Sequence, residues 1–238
     1  MLPKIIAFNG PMASGKDTYS SYYGNILTKK GIKWSKYGLG TPPKREVDFI
    51  LNQIKNGKTK SYICDELLKK EYFNKEDFDK MYDMCFELVG KDPSLTAFNR
   101  TPEIRKILQY WSTDVRRKYN QRYWLDIALE EIKKMSEEYF IITDPRFILE
   151  FDELKKLGGF NVFLKVSKEE QMRRIMKRDG FIPSEETLNH PSELECLEYD
   201  KYDLIIDTEK ETPEVLDRYF QWELVIYFMK KKKMEHLI

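Results

Sequence analysis

Short apolar runs alternate with longer stretches of helical periodicity along most of the chain. The runs stop at glycine or polar residues, which is typical of β-strands, and they are KIIAF (4–8), WSKYGL (34–39), YFIIT (139–143), NVFLKV (161–166) and YDLIID (202–207). WSKYGL is the most polar of these runs. Because the others are apolar at consecutive positions, they predict a sheet that is covered on both faces.

The stretches between the runs have helical length and periodicity, which predicts helices. They cover residues 16–30, 101–118, 124–138, 147–157, 169–178 and 213–230. Strands that alternate with helices favour right-handed βαβ crossovers. We therefore predict a three-layer α/β fold with a five-stranded parallel sheet.

Residues 56–100 break this alternation. They are rich in Lys, Asp, Glu, Tyr and Phe and contain no strand-like run. We predict that they form an inserted, mostly helical cap within a single domain over residues 1–238. The composition fits a closing lid and a purely structural addition equally well.

Composition narrows the class of partner. The 238 residues include 41 Lys and Arg against 40 Asp and Glu, and this net charge of +1 gives no reason to expect nucleic acid or a membrane as a partner. Cys64, Cys85 and Cys196 are widely spaced, odd in number and never arranged as Cys-x-x-Cys, so they suggest neither a disulfide framework nor a zinc site. With only His190 and His236, a histidine-based metal site is equally unexpected. No run reaches transmembrane length. We expect a soluble, cytoplasmic protein, in the host cytoplasm if it is viral.

The segment GPMASGKDT, residues 10–18, follows the first predicted strand and precedes the first predicted helix. Gly10 and Gly15 allow backbone angles that turn successive N–H groups inward, and Lys16 adds a positive charge beside the positive helix N-terminus. These features predict a loop that binds a di- or triphosphate. The alternative is an ordinary tight turn, because short glycine patterns also occur by chance.

The residues after Lys16 differ from the usual phosphate loop. A Walker loop continues from Lys directly to Ser or Thr, whose hydroxyl binds Mg²⁺, whereas this chain has Asp17 and then Thr18. A carboxylate beside phosphates is repelled unless a cation lies between them. We therefore predict that Asp17 lies near Mg²⁺ and that Thr18 supplies the hydroxyl.

A second polar group follows the predicted strand YFIIT. TDPRF, residues 143–147, places Asp144 and Arg146 at the carboxyl edge of the sheet, where doubly wound folds bind ligands. An acid there can hold a metal ion or water, and an arginine can bind phosphate through parallel hydrogen bonds. A structural ion pair between Arg146 and Glu150 is the alternative.

Polar side chains also lie along the predicted helix 101–118. Arg105, Gln109 and Thr113 recur every fourth residue and therefore share one face of an α-helix. Such a stripe can hold a base and a phosphate. It is equally typical of a solvent-exposed helix face.

Taken in order, several of these motifs resemble the deoxynucleoside monophosphate kinases of bacteriophages, relatives of adenylate kinase and dephospho-coenzyme A kinase. The resemblance is carried by SGKDT (14–18), RKILQYWSTDVRR (105–117), YW (123–124) and ITDPRFILE (142–150), with counterparts for HPSE (190–193) and YDLIID. It covers the chain apart from residues 56–100. It implies a P-loop NTPase fold, ATP as the donor, Mg²⁺ as the cofactor and a deoxynucleoside monophosphate as the acceptor.

The resemblance also implies roles for individual residues. The residues that it places in contact with ATP are Gly10, Ala13, Ser14, Gly15, Lys16, Asp17 and Thr18. The residues that it places in contact with the acceptor are Arg105, Lys106, Gln109, Ser112, Thr113, Trp124, Arg146 and Glu150. Mg²⁺ would be held by Asp17, Thr18 and Asp144. Ser112 and Thr41 stand where the family usually has Gly and Asp, and both would line the acceptor side.

The helix predicted over residues 169–178 carries arginines at the position where kinases of this group have their lid. Arg174 and Arg178 share one face, and Gly180 is suited to end the helix. We predict a lid over residues 169–183 and catalytic roles for Lys16, Asp17, Asp144, Arg146, Arg174 and Arg178. An exposed basic helix is the alternative.

Two other functions fit the motifs. One is a kinase for another phosphorylated metabolite, such as phosphomevalonate or dephospho-coenzyme A, because GKDT and Asp-x-Arg do not identify a base. The other is a regulatory protein that binds ATP without an acceptor. The Tyr-rich residues 219–228 would fit a homodimer face or a helix packed on its own sheet.

Overall fold

A computed structural model describes residues 4–69 and 73–220. These residues fall into two compact units. Unit 1 takes in the described residues of Met1–Gly38, Ser136–Gly180 and Glu195–Ile238, and unit 2 takes in those of Leu39–Met135 and Phe181–Leu194. The strands are β1 (Ile5–Asn9), β2 (Trp34–Gly38), β3 (Tyr139–Thr143), β4 (Phe160–Lys165) and β5 (Leu204–Asp207).

The helices follow in chain order. They are α1 (Lys16–Lys29), α2 (Thr41–Lys55), α3 (Lys60–Leu68), α4 (Lys75–Lys91), α5 (Pro102–Gln109), α6 (Tyr123–Lys133), α7 (Ile148–Lys156), α8 (Lys168–Asp179), α9 (Glu185–Leu188) and α10 (Pro191–Glu198). A π-helical segment, Tyr110–Arg117, continues directly from α5.

Unit 1 contains the sheet. Its five strands are all parallel and lie in the order β2-β3-β1-β4-β5, so β1 is central and pairs with β3 and β4. β2 pairs only with β3 at one edge. This edge position explains why WSKYGL forms a strand although it is polar, because an edge strand is not buried on all sides.

Side chains pack on both faces of this sheet. On one face, Tyr19, Tyr23 and Leu27 of α1 pack with Ile6 and Phe8 of β1. On the other face, a second cluster is formed by Phe151, Phe163, Cys196, Tyr199 and Tyr202. The strand order and the two covered faces are those of a three-layer P-loop NTPase fold, which confirms the predicted fold class.

Two of the helix predictions need correction. The segment 101–118 is α-helical only as far as Gln109, because residues 110–117 take the π-helical form. The helix predicted over 124–138 ends at Lys133. The helix predicted over 213–230 begins within the described residues, whereas residues from 221 onward, including most of the Tyr-rich stretch, lie outside them.

Helix α2 was not predicted from the sequence. It starts with Thr-Pro-Pro, a pattern that suggests a turn but that also suits the first turn of a helix, where no backbone N–H is needed. It buries Val47, Ile50, Leu51 and Ile54, which recur at spacings of three and four. This periodicity is the feature of the sequence that indicates a helix here.

Unit 2 has its own helical core. Helix α4 buries Phe78, Met81, Cys85 and Leu88 along one face. Burial raises the pKa of Cys85 to about 12, so this thiol is protonated at neutral pH and packs as an apolar group. The described part of residues 56–100 carries α3 and α4 and is mostly helical, as predicted.

A buried ion pair between Glu46 and Arg116 lies inside this core. Arg116 has 0% exposure and donates from Nε to Glu46 Oε1 at 2.8 Å. Trp111 Nε1 donates to the same oxygen at 2.8 Å, and Tyr123 OH donates to Oε2 at 3.2 Å. The guanidinium carbon lies 4.7, 4.8 and 4.9 Å from the ring centroids of Phe73, Trp111 and Tyr123. These distances allow cation–π attraction, so the pair joins α2 to the π-helical segment and α6.

Candidate functional site

The loop between β1 and α1 has a backbone that few residues other than glycine adopt. Gly10, Ala13 and Gly15 have φ angles of 138°, 60° and 101°. A Cβ atom added to Gly10 would lie 2.5 Å from Leu164 O, so no side chain fits there. Left-handed residues among right-handed ones let successive N–H groups converge, which is the backbone of an anion-binding nest.

Lys16 lies against this loop. Its Nζ donates to Gly10 O at 2.8 Å and to Pro11 O at 2.8 Å, and the side chain is mostly buried. The loop backbone therefore fixes the ammonium group beside the nest. A point charge in this position adds to the attraction for an anion.

The N-terminus of α1 points out of the same loop. Its N-cap is Gly15, and no side chain caps the first turn with a hydrogen bond. The Ser14 Oγ atom is buried and has no hydrogen-bond partner among the described residues. Positive backbone groups, the fixed lysine and an unsatisfied hydroxyl together fit a bound polyphosphate.

Asp17 and Thr18 lie in the first turn of α1 and are exposed. Asp17 Oδ1 accepts a hydrogen bond from Lys36 Nζ of β2 at 2.9 Å. The carboxylate next to the phosphate loop is therefore already paired with a cation of the protein. The sequence predicts a cation beside Asp17 and suggests Mg²⁺, and the structure adds Lys36 as a cation at this carboxylate.

The turn after β3 lies beside the phosphate loop. Thr143 pairs in register with Phe8, which brings Asp144 level with Asn9, the residue before Gly10. Asp144 has a φ of 62°, a left-handed conformation that is uncommon for a residue other than glycine. Backbone strain of this kind is frequent at functional sites.

Two glutamates hold the turn. Glu150 is 3% exposed, and its Oε2 accepts the N–H groups of Arg146 at 2.6 Å and Phe147 at 3.2 Å. Glu195 Oε1 accepts the N–H of Ile148 at 2.8 Å. Glu150 is predicted to lie at the acceptor nucleotide. In the structure its carboxylate binds backbone N–H groups and so orients the backbone of Arg146.

The arginines of α8 contact unit 1 itself. Arg174 donates to Glu170 Oε1 at 2.8 Å, to Thr208 Oγ1 at 2.9 Å and to Thr208 O at 3.0 Å. Arg178 donates to both carboxylate oxygens of Asp179 at 2.8 Å. Hydrogen bonds from Arg173 and Arg174 lower the pKa of Glu170 to about 2. Arg174 and Arg178 would each have to break the hydrogen bonds described above to reach a transferred phosphoryl group.

The residues predicted to bind the acceptor base belong to unit 2. Gln109 Nε2 donates to Thr187 O at 3.1 Å, and Arg105 lies 5.6 Å from the Phe181 ring centroid. Trp124 is buried, and its Nε1 donates to Ser112 O at 2.9 Å. The tryptophan therefore supports the backbone of the π-helical segment.

The common face expected for Arg105, Gln109 and Thr113 stays a prediction, because the helix that carries them is α-helical only as far as Gln109. That expectation assumed α-helical spacing, in which every fourth residue lies on one face. Thr113 lies in the π-helical segment, where the hydrogen bonds run from i to i+5, so its position relative to Arg105 and Gln109 does not follow from α-helical spacing. Arg105 and Gln109 keep the α-helical relation because both lie in α5.

Comparison with known proteins gives structural likenesses at low identity. No protein-family model matches the chain, and no curated protein matches it. The chain is similar to a gluconokinase from Sinorhizobium meliloti 1021, with 17% identity, a TM-score of 0.45, and coverage of 95% of this chain and 97% of that one. It is also similar to TT1252 from Thermus thermophilus, with 19% identity, a TM-score of 0.42, and coverage of 94% and 97%. A third likeness is to a shikimate kinase from Acinetobacter baumannii, with 15% identity, a TM-score of 0.40, and coverage of 94% and 93%.

The strand order and the backbone of the loop between β1 and α1 establish the fold of this chain. In the part of the chain that the structure describes, no helix is long and apolar enough to span a membrane.

Proposed function

We propose that the protein transfers the γ-phosphoryl group of ATP to a deoxynucleoside 5′-monophosphate, giving the diphosphate and ADP. The observation that carries this proposal is the loop from Gly10 to Lys16, with its left-handed backbone, fixed ammonium group and uncapped helix N-terminus. Such a loop suits a polyphosphate donor. The order of the motifs around it favours a nucleotide acceptor.

The donor site lies in unit 1. The loop from Gly10 through Lys16 would hold the phosphates of ATP, while Asp17, Thr18 and Asp144 would hold Mg²⁺. Bound Mg²⁺ would supply charge neutralisation at the phosphates. Pairing with Lys36 keeps the Asp17 carboxylate compatible with the nearby anion.

The acceptor contacts are proposed from the resemblance together with the local geometry. Arg146 would bind the acceptor phosphate, since Glu150 orients its backbone at the edge of the sheet. Arg105, Lys106, Gln109, Ser112 and Thr113 would contact the nucleotide. Trp124 would act on the same region through Ser112. Arg174 and Arg178 would meet the charge that develops on the transferred group.

Release of ADP in the presence of different acceptors tests the proposal. The panel consists of the four common deoxynucleoside monophosphates, their ribonucleotide counterparts, phosphomevalonate and dephospho-coenzyme A. We expect the highest kcat/KM with a deoxynucleoside monophosphate. A preference for phosphomevalonate or dephospho-coenzyme A would favour the other kinase function, and ATP binding without any acceptor-dependent turnover would favour the regulatory one.

Substitutions in α5 separate the acceptor site from the donor site. Arg105→Ala and Gln109→Ala are each expected to raise the acceptor KM about tenfold, because each removes one polar contact. The KM for ATP is expected to stay within about twofold of its original value. Steady-state kinetics with each substrate varied in turn measures both constants. An effect confined to ATP would contradict the assignment.

The charge of Asp144 is tested without changing its backbone. Asn tolerates the left-handed conformation about as well as Asp, so Asp144→Asn removes the charge and keeps the turn. We expect kcat to fall about ten- to a hundredfold with an unchanged melting temperature. Asp144→Gly is the matched control for backbone strain and is expected to lose the same activity. Full activity in Asp144→Asn would exclude a role for the carboxylate.

A further inference from the structure

A buried side chain of α8 contacts the phosphate loop. Gln171 is 8% exposed and donates from Nε2 to Met12 O at 3.0 Å, across 159 positions of the sequence. Gln171 and Ile175 are the two buried residues of α8. A buried amide needs a hydrogen-bond partner, and the loop carbonyl provides it.

This contact fixes the orientation of one peptide unit. Met12 C=O and Ala13 N–H belong to the same planar trans peptide and point in opposite directions. When Gln171 holds the carbonyl towards α8, it also holds the Ala13 N–H away from α8. Orienting the carbonyl therefore orients a donor of the loop.

The Met12–Ala13 peptide is followed by a strained backbone angle at Ala13. Ala13 has a φ of 60°, a conformation that costs a non-glycine residue free energy unless the surroundings enforce it. The hydrogen bond from Gln171 is an enforcing contact from outside the loop. Lys16 supplies another, through the carbonyl groups of Gly10 and Pro11.

We propose that Gln171 is a positioning residue for the donor phosphates. It holds the Met12–Ala13 peptide so that the Ala13 N–H donates a hydrogen bond to a bound phosphate oxygen. The inference rests on the proposed binding of ATP at this loop. It assigns to α8 a role in donor binding that the predicted arginine lid does not include.

Calorimetric titration of the full chain with ATP and with ADP provides the first test. Gln171→Leu keeps the size and apolar packing of the side chain but cannot donate to Met12 O. We expect the Kd for both nucleotides to rise about tenfold, with the acceptor KM unchanged. Gln121→Leu, at an exposed position, is the matched control and is expected to bind both nucleotides normally.

Amide resonances provide a readout that a general loss of stability would not change. The chain has four alanines, at positions 7, 13, 97 and 128, so labelling with ¹⁵N-alanine gives a spectrum with few resonances. We expect ADP to shift the Ala13 amide proton downfield in the original protein and to leave it nearly unshifted in Gln171→Leu.

The outcomes separate the inference from the function on which it rests. Weaker nucleotide binding together with loss of the Ala13 shift supports the role of Gln171. Normal binding by Gln171→Leu, or an unchanged Ala13 shift, overturns it while the proposed function stands. If the original protein binds neither ATP nor ADP, both are overturned.

Discussion

Replacing Lys16 with Ala is expected to lower kcat/KM for phosphoryl transfer about a hundred- to a thousandfold. The structure places the Lys16 ammonium group on the carbonyl groups of Gly10 and Pro11, within the loop proposed to hold the donor phosphates. Negative charge on the donor is redistributed as the phosphoryl group leaves, and a fixed cation stabilises that state. No other lysine is fixed by this loop among the described residues.

The measurement is acceptor-dependent ADP release, together with circular dichroism to establish that the variant is folded. Lys29→Ala is the matched control, because Lys29 lies at the exposed far end of the same helix. It is expected to retain full activity. A folded Lys16→Ala variant with more than about a tenth of the original activity would contradict the assigned role.

Removing one member of the buried Glu46–Arg116 pair is expected to have the largest effect on stability. Glu46→Ala leaves a fully buried guanidinium group without its carboxylate, among the rings of Phe73, Trp111 and Tyr123. Breaking a buried pair in this way lowers the free energy of unfolding by about 3–5 kcal/mol. Cation–π attraction offsets only part of the lost interaction.

Urea denaturation measures this effect. Arg45 precedes Glu46 and forms an exposed pair with Glu131 at 2.6 Å, so Arg45→Ala is a matched control that should cost about 1 kcal/mol or less. If Glu46→Ala does not fold, the double variant Glu46→Leu with Arg116→Met removes both charges and is expected to fold. Equal costs for Glu46→Ala and Arg45→Ala would contradict the description of the pair.

The strands were predictable because of where they lie in the sheet. β1 and β3 are buried along their whole length, so each reads as a continuous apolar run. β2 is partly exposed at the edge and gives a weaker signal, although it was still placed correctly. The π-helical segment could not be predicted, since it contains Arg116, which pairs with a glutamate 70 positions away.

The candidate site was predictable only where its residues are close together in the sequence. The spacing of Gly10, Gly15 and Lys16 gives the phosphate loop directly. Gln171 and Glu195 come from distant segments and act on backbone groups, so no local motif marks them. In the case of Gln171, its spacing of four from the buried Ile175 was a usable signal, because it places an amide on the inner face of α8.

Phosphorus NMR of the complete reaction tests the central claim most directly. The protein is incubated with ATP, Mg²⁺ and one deoxynucleoside monophosphate, and the phosphate resonances of all nucleotides are followed over time. We expect ADP and the deoxynucleoside diphosphate to form in equal amounts as ATP and the monophosphate disappear. Loss of ATP to ADP and inorganic phosphate, with the monophosphate unchanged, would contradict transfer to a nucleotide.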